Sequence, residues 1–479
     1  MNYLKVTTKR FGILVVLVLS ALQCLSQLNT LSPYSRFGLG ELEQQNSIFG
    51  LGNSGAVVSR SPYFSVNSRN PASYSSLIHP TFQTGITVSN FELSANGETN
   101  RNYLSKLSEI SIGLPFGKGF AAAFGVLPYS SVGYDLEADG GTLPDGTPVT
   151  YEYSGSGGLT NGFLGFSYQK RFLKEQIVRN SKGVEVDTVR YLASSIAGGL
   201  NGNLLFGDVS YERNVVYASS DYYQRLETSG MSLADANLTF GLLYTRNLVT
   251  TYRSYKSESV KEKDLDVTIG VAFTPKHSSS PQNTRLVGYG RYDNTLSEAI
   301  FLDTISYFSS DGELTIPALL EAGATFSFQN AKSRELNVSF QVSMQDWNKF
   351  NNSLDGPGVS GVLGDATMFR VGLEYTPKPL TETNLPWYKK TLIQVGARTG
   401  TSYLSLGGES FTESAVSAGI SIPFLGSRTL SRINLGMDFG YRGTTVDGLI
   451  EQTTLNTYLG FSLMPDMKRN GWFRRSKYQ

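Results

Sequence analysis

Between Leu336 and Met344 the side chains alternate without a break. Leu336, Val338, Phe340, Val342 and Met344 interleave with Asn337, Ser339, Gln341 and Ser343. In an extended chain successive side chains point to opposite faces, so one face meets an apolar medium and the other a polar one. The pattern recurs with Leu265, Val267, Ile269, Val271 and Phe273 set against Asp266, Thr268, Gly270 and Ala272. It returns with Phe369, Val371, Leu373 and Tyr375 against Arg370, Gly372 and Glu374, and in Val416–Phe424, Ile433–Tyr441 and Leu455–Leu463. A period of two repeated along most of a chain restricts it to an all-β body.

A secreted β-sandwich would alternate as well, with its polar face in bulk water. Strand length and polar-face composition favour a closed transmembrane barrel. Many stretches reach about 9 to 14 residues, the length a tilted membrane strand needs. Their polar faces carry Gly, Ser, Thr, Asn and Gln as often as charges, as a wet lumen would. The chain has 50 Gly, 27 Tyr and 27 Phe, and only 17% charged residues, which suits a lipid-facing exterior with interfacial aromatics. A formal net charge of +1 gives no electrostatic reason to invoke nucleic acid.

The N-terminus sets the compartment. Lys5, Lys9 and Arg10 precede an apolar run from Phe11 to Leu22, too short to span a bilayer but of signal-peptide length. Cleavage after Ser26 leaves Gln27 first. The only cysteine, Cys24, follows Gln23, whereas a lipoprotein signal wants a small residue there, so ordinary cleavage is expected. The mature chain then lacks a disulfide framework. Without those three cations the 41 Lys and Arg become 38, against 40 Asp and Glu. No later segment is a membrane helix, so any membrane insertion must use strands.

Candidate strands fall at 82–95, 106–115, 119–134, 159–173, 192–217, 235–248, 263–276, 314–328, 334–347, 366–377, 390–403, 411–424, 429–444 and 450–465. Fourteen is even and puts both ends of the barrel on the periplasmic side. Inner turns such as Phe116–Lys118, Gln329–Ser333 and Leu425–Arg428 are short. Outer connections such as Asp135–Gly158, Ala218–Ala234, the hairpin-like His277–Glu313 and Asn348–Asp365 are long. Three inner connections, 174–191, 249–262 and 378–389, break the rule by their length, and 192–217 is too long for one pass. The expected organisation is a signal peptide at 1–26, a plug at 27–79, a barrel at 80–466 and a basic tail at 467–479.

The segment before the first strand is rich in Gly, Ser, Asn and Pro and alternates little. Phe37, Leu39, Ile48, Phe49, Leu51, Val57, Val58, Tyr63 and Phe64 are many apolar groups for a solvated tail. A fourteen-stranded barrel has room for them inside; a periplasmic tail is the alternative. Within this segment Gly52-Asn53-Ser54-Gly55-Ala56 is followed by Ser65-Val66-Asn67-Ser68-Arg69-Asn70-Pro71-Ala72. This resembles the hatch of FadL-like outer-membrane transporters, in which an Asn-Pro-Ala motif precedes the first strand. Weaker likenesses are Gly155-Ser156-Gly157-Gly158-Leu159, Ile316-Pro317-Ala318 before Glu321-Ala322-Gly323-Ala324, and Glu374-Tyr375-Thr376-Pro377. The opening Ser32-Pro33-Tyr34-Ser35-Arg36-Phe37-Gly38 resembles the family's Bacteroidota branch.

The resemblance implies an outer-membrane location in a diderm bacterium and a fourteen-stranded barrel closed by a hatch at Asn70, Pro71 and Ala72. It implies passage of small hydrophobic compounds, such as long-chain fatty acids, through a kink in the third strand to a lateral opening. Gly125, Pro128 and Gly133 suit such a kink, since Pro lacks a ladder donor and Gly weakens pairing; a bulge at the rim is the other reading. Barrels resembling the family also serve secretion and barrel-assembly complexes, so a non-transporting subunit or scaffold is the rival expectation. The partners implied are outer-membrane lipid, hydrophobic small molecules and other outer-membrane proteins.

Chemistry is sparse. His79 and His277 lack a partner at metal-ligand spacing and read as surface residues. No phosphate loop or nucleophile elbow is present, and His277 beside Ser278, Ser279 and Ser280 is the nearest approach to a base and nucleophile. Neither catalysis nor a cofactor or metal is expected. Asp346-Trp347 reads as an interfacial pair at a strand end.

Overall fold

The structure, a computed structural model, describes residues 32–464 apart from residues 96 and 220 and the stretches 180–184, 256–257, 294–297, 331–333, 353–362, 379–384, 407–408, 425–429 and 444–448. The expected signal peptide and basic tail lie outside these residues.

Fourteen antiparallel strands form a ring: β1 Thr81–Ala95, β2 Glu98–Gly117, β3 Phe120–Thr142, β4 Pro148–Arg179, β5 Glu185–Tyr217, β6 Gln224–Tyr255, β7 Glu258–Thr274, β8 Leu319–Asn330, β9 Glu335–Asp346, β10 Asp365–Thr376, β11 Leu392–Leu406, β12 Glu409–Pro423, β13 Arg432–Arg442 and β14 Glu451–Leu463. Each pairs with the next, and β14 pairs with β1 from Phe82↔Leu463 to Ser94↔Glu451, which closes the barrel. All fourteen expected strands are present. Among the described residues no helix is long and apolar enough to cross a membrane.

The alternation is inside-out. On β9 the buried residues are Asn337, Ser339, Gln341 and Ser343, while Phe340 and Met344 face outward and are exposed. β7, β10 and β12 do the same with Ile269, Phe369 and Val416. An apolar outer face and a polar, hydrogen-bonded inner face need lipid outside.

Several strands outrun the bilayer. β4 and β6 have 32 residues and β5 has 33. Residues 174–179 with 185–191, and 249–255 with 258–262, are therefore not long turns but continue the ladders of β4–β5 and β6–β7 down to Arg179↔Glu185 and Tyr255↔Glu258. At the outer end, most of Asp135–Gly158 is likewise strand. Above the mouth, β6 exchanges its β7 partner for the strand Gln282–Asp293, which pairs in turn with Glu298–Asp311. The outer parts of β3 to β6 and this hairpin make a half-shell standing on one side of the mouth.

Residues 32–80 pack against the inner faces of strands all round the ring. Inward glycines allow the approach, because a Cβ at Gly396 would lie 2.3 Å from the Asn53 carbonyl carbon and one at Gly199 2.4 Å from that of Pro71. Ile48 lies across the closure, 2.2 Å from where Cβ atoms of both Gly85 on β1 and Gly460 on β14 would stand. The outer mouth is filled by an apolar core. Tyr34, Phe37 and Leu39 meet Val132, Leu205, Leu233, Leu314, Trp347 and Leu404 there. Trp347 is thus not interfacial: it is 2% exposed and packs against Phe350 and Tyr403 at 5.5 and 5.6 Å.

Candidate functional site

The wall is interrupted at the junction of β2 and β3. β2 pairs with β3 only from Gly117↔Phe120 to Ile110↔Val126. Past Val126 the register of β3 shifts between Pro128 and Ser130 against β4, and its ladder to β2 stops. A continued ladder would bring Ser130 near Lys106. Instead Leu42 and Glu41 of the N-terminal segment pair with Ser130 and Ser131. The Glu43 amide donates to the Tyr129 carbonyl at 2.9 Å, the Gln45 side chain donates to the Pro128 carbonyl, and the Gly133 amide donates to the Ser35 hydroxyl at 3.1 Å. Pro128 offers no N–H, so a bulge beginning there removes little from the ladder. Of the expected kink residues, Pro128 and Gly133 stand on this uncovered edge, and Gly125 lies in the part still paired with β2.

Glu43 joins the two lips of the seam. Its carboxylate takes the Lys106 ammonium of β2 and accepts from the Ser131 hydroxyl of β3 at 3.0 Å. Both ionic side chains are about 15% exposed. Such a pair stabilises modestly when whole, but removal of one partner strands the other's charge. Beside the seam, on the lipid face, Phe124, Val126, Leu164, Leu204 and Leu238 border an apolar groove of about 610 Å³ floored by Gly162 and Gly202.

The rest of the segment is pinned by polar groups of the wall. Arg60 pairs with Glu374 of β10 and Arg69 with Glu321 of β8. Gln341 of β9 accepts from the amides of Val57 and Val58 at 2.8 and 2.9 Å, and Glu109 of β2 accepts from that of Ile48 at 2.8 Å. The expected hatch motif opens a 3-10 turn over Pro71–Ser76, where the Asn70 side chain caps Ala72 at 3.1 Å and donates to the Val58 carbonyl at 2.7 Å. Pro71 fits the first turn, where no N–H is needed. Tyr74 donates to Asn201 of β5 at 3.0 Å.

Cavities remain on both sides of this body. Towards the mouth, about 260 Å³ is bounded by Leu42–Asn46, Arg69, Asn203, Arg370 and Trp347. Towards the inner end, about 460 Å³ is bounded by Arg60, Phe64, Gln169 and Glu335. His277 lines the first and is not on the surface. Its Nε2 lies 3.2 Å from Asp235, while the Ser278 hydroxyl is bonded to Thr315 at 2.8 Å. His79 is half-buried at the start of the barrel. The ion pairs and the seam were missed in the sequence, because partners such as Arg69 and Glu321 are far apart along the chain; an Arg flanking a predicted hatch motif was the available signal.

A family model described as BamG matches residues 7–174 and 188–479. Among solved structures, a Pseudomonas aeruginosa FadL homologue is similar with a TM-score of 0.52 at 10% identity, over 89% of this chain and 99% of that one. The CymD monoaromatic hydrocarbon channel has a TM-score of 0.47 at 12% identity, over 90% and 100%. The Pseudomonas putida toluene transporter TodX has 0.47 at 14%, over 89% and 98%. No curated protein matches the chain. The FadL-like resemblance thus holds for the fold, and the matching family model carries a different name.

Proposed function

The chain belongs to the BamG family, and from that premise we propose that it is an outer-membrane barrel passing small hydrophobic compounds sideways into the membrane. The route runs from the outer cavity, through the β2–β3 seam, to the lipid-side groove. The observation that carries this reading is the missing ladder between the outer halves of β2 and β3, bridged only by residues 35–45. In this reading residues 27–79 form the hatch, with Asn70, Pro71 and Ala72 as its inner anchor. Pro128 and Gly133 end the ladder, and Gly125 belongs to the paired lip below. In the same reading residues 1–26 are the export signal, 80–466 the barrel and 467–479 a basic periplasmic tail. In this reading the chain is of the Bacteroidota branch, an assignment that the resemblance of its Ser32–Gly38 opening supports.

The test is a bolt across the seam. Leu42 stands opposite Ser130, so Leu42→Cys with Ser130→Cys, in a Cys24→Ser background, can form a disulfide between residues facing each other across a pair of strands. Uptake of labelled oleate by cells should fall when the disulfide forms and return on reduction. Unchanged uptake with the crosslink complete would sink the proposal.

A second reading, a subunit or scaffold of a larger outer-membrane assembly, is favoured by the strands that outrun the bilayer. On the inner end of β4, Leu173 and Ile177 are exposed beyond the band. A stoichiometric protein partner after mild-detergent extraction would put this reading first.

A further inference from the structure

The half-shell ends in a strand with an open side. Glu298–Asp311 pairs with Gln282–Asp293, and among the described residues no other strand lies along its second edge. It stands above the bilayer, because Gln282–Gly290 pairs with Ser232–Gln224 of β6, and the outward apolar run of that strand, Leu238 to Tyr244, lies further down. Solvent therefore meets four large apolar side chains within seven residues: Leu302 (56% exposed), Ile305 (52%), Tyr307 (67%) and Phe308 (58%). Natural sheets avoid such edges or blunt them. This one is blunted only in part. Register shifts beside Leu302 and Ile305 interrupt its inner half, and the Thr304 amide turns to the Asp303 carboxylate at 2.8 Å. From Ser306 to Asp311 the register is regular, so alternate N–H and C=O groups point away from the shell, free to extend the sheet.

We propose that the edge Ser306–Asp311 receives an extended, basic segment of another protein, which adds itself as a further strand of the half-shell. The charge argues for that occupant. From 298 to 311 the chain carries Glu298, Asp303 and Asp311 and no Lys or Arg, and Glu313 follows. A second copy docked edge to edge would set acid against acid, whereas alternating Lys and β-branched residues would pair with the carboxylates and cover Tyr307 and Phe308.

The probe is a synthetic peptide of alternating Val and Lys, with fluorescence anisotropy against the full chain in detergent. Three controls accompany it: a Val/Glu peptide, a Val/Lys peptide N-methylated at alternate residues, and sedimentation of the protein alone. Binding should weaken with salt and be lost on N-methylation, which removes ladder donors. It should be at least about tenfold weaker for Asp303→Lys with Asp311→Lys. Ser309→Pro, which keeps the charge but disturbs the edge, should also weaken it. Absence of binding, binding indifferent to N-methylation or to both variants, or a dimer abolished by Ser309→Pro would overturn the assignment. None of these outcomes depends on oleate uptake, so this proposal and the lateral route fail separately.

Discussion

The β4–β5 wall and the β2–β3 junction are built from the same kind of sequence but held in different ways. β4 and β5 are laddered from Val149↔Tyr217 to Arg179↔Glu185, through the bilayer and beyond it on both sides. β2 and β3 share a ladder only near the inner end, and above Val126 the edge of β3 is satisfied by residues 35–45. Backbone bonds within a ladder are cooperative and local. The substitute at the junction is a separate segment, held to β3 by a short backbone pairing and tied to β2 by the Glu43 side chain. The wall should therefore tolerate loss of a side chain that the junction cannot.

The largest effect is expected from Glu43→Ala. It leaves the partly buried Lys106 without its partner, at a cost near the lower end of the roughly 3–5 kcal/mol of fully buried pairs, enough to shift a covered-to-open balance by about a hundredfold. Single-channel recordings in planar bilayers should show new open events; a silent variant would remove the distinction between junction and wall. Asn201→Ala perturbs the wall instead. It removes the bonds to Tyr74 and the Ser68 carbonyl at 3.0 and 3.2 Å. It should lower stability by about 1–3 kcal/mol, read from the temperature of the heat-modified gel shift, without leak. A leak in this variant would mean that the whole inner segment, not the seam, is the weak point.

The smallest effect belongs to the wall's outer tip. The Tyr222 hydroxyl, 2.6 Å from Asp145, holds that carboxyl below its ordinary value. A depressed carboxylate stabilises above its unfolded value, about 3.9, and that contribution fades as pH falls through the lower folded value. Tyr222→Phe should thus differ slightly from the parent at neutral pH and converge with it in acid. A difference that grows in acid would reverse the sign.

What was legible followed the lipid. Leu336–Met344 or Leu265–Phe273 can be read as strands because a bilayer on one side and a polar interior on the other impose alternation. The same strands become illegible where they leave the membrane. Residues 174–179 and 185–191 continue β4 and β5 with both faces wet, so 174–191 looked like a turn. Trp347 misled for a related reason: an aromatic at a strand end fits the interface, and only the outer core of Leu314, Tyr403 and Leu404 shows that it is inside. The role of Pro128 as a ladder end was foreseeable. That Leu42 would take the place of β2 was not, since nothing local in Glu41-Leu42-Glu43 marks a strand.

Ile48 rests on the first strand and the last at once. Its seat is half supplied by Gly85, made early in synthesis, and half by Gly460, made nearly four hundred residues later. The joint that turns a sheet into a ring is thus also the joint that grips the segment within it. For the machinery that inserts this chain, sealing the barrel and stowing its contents are one act, and a chain cut before β14 would be both open and empty-handed at the same place.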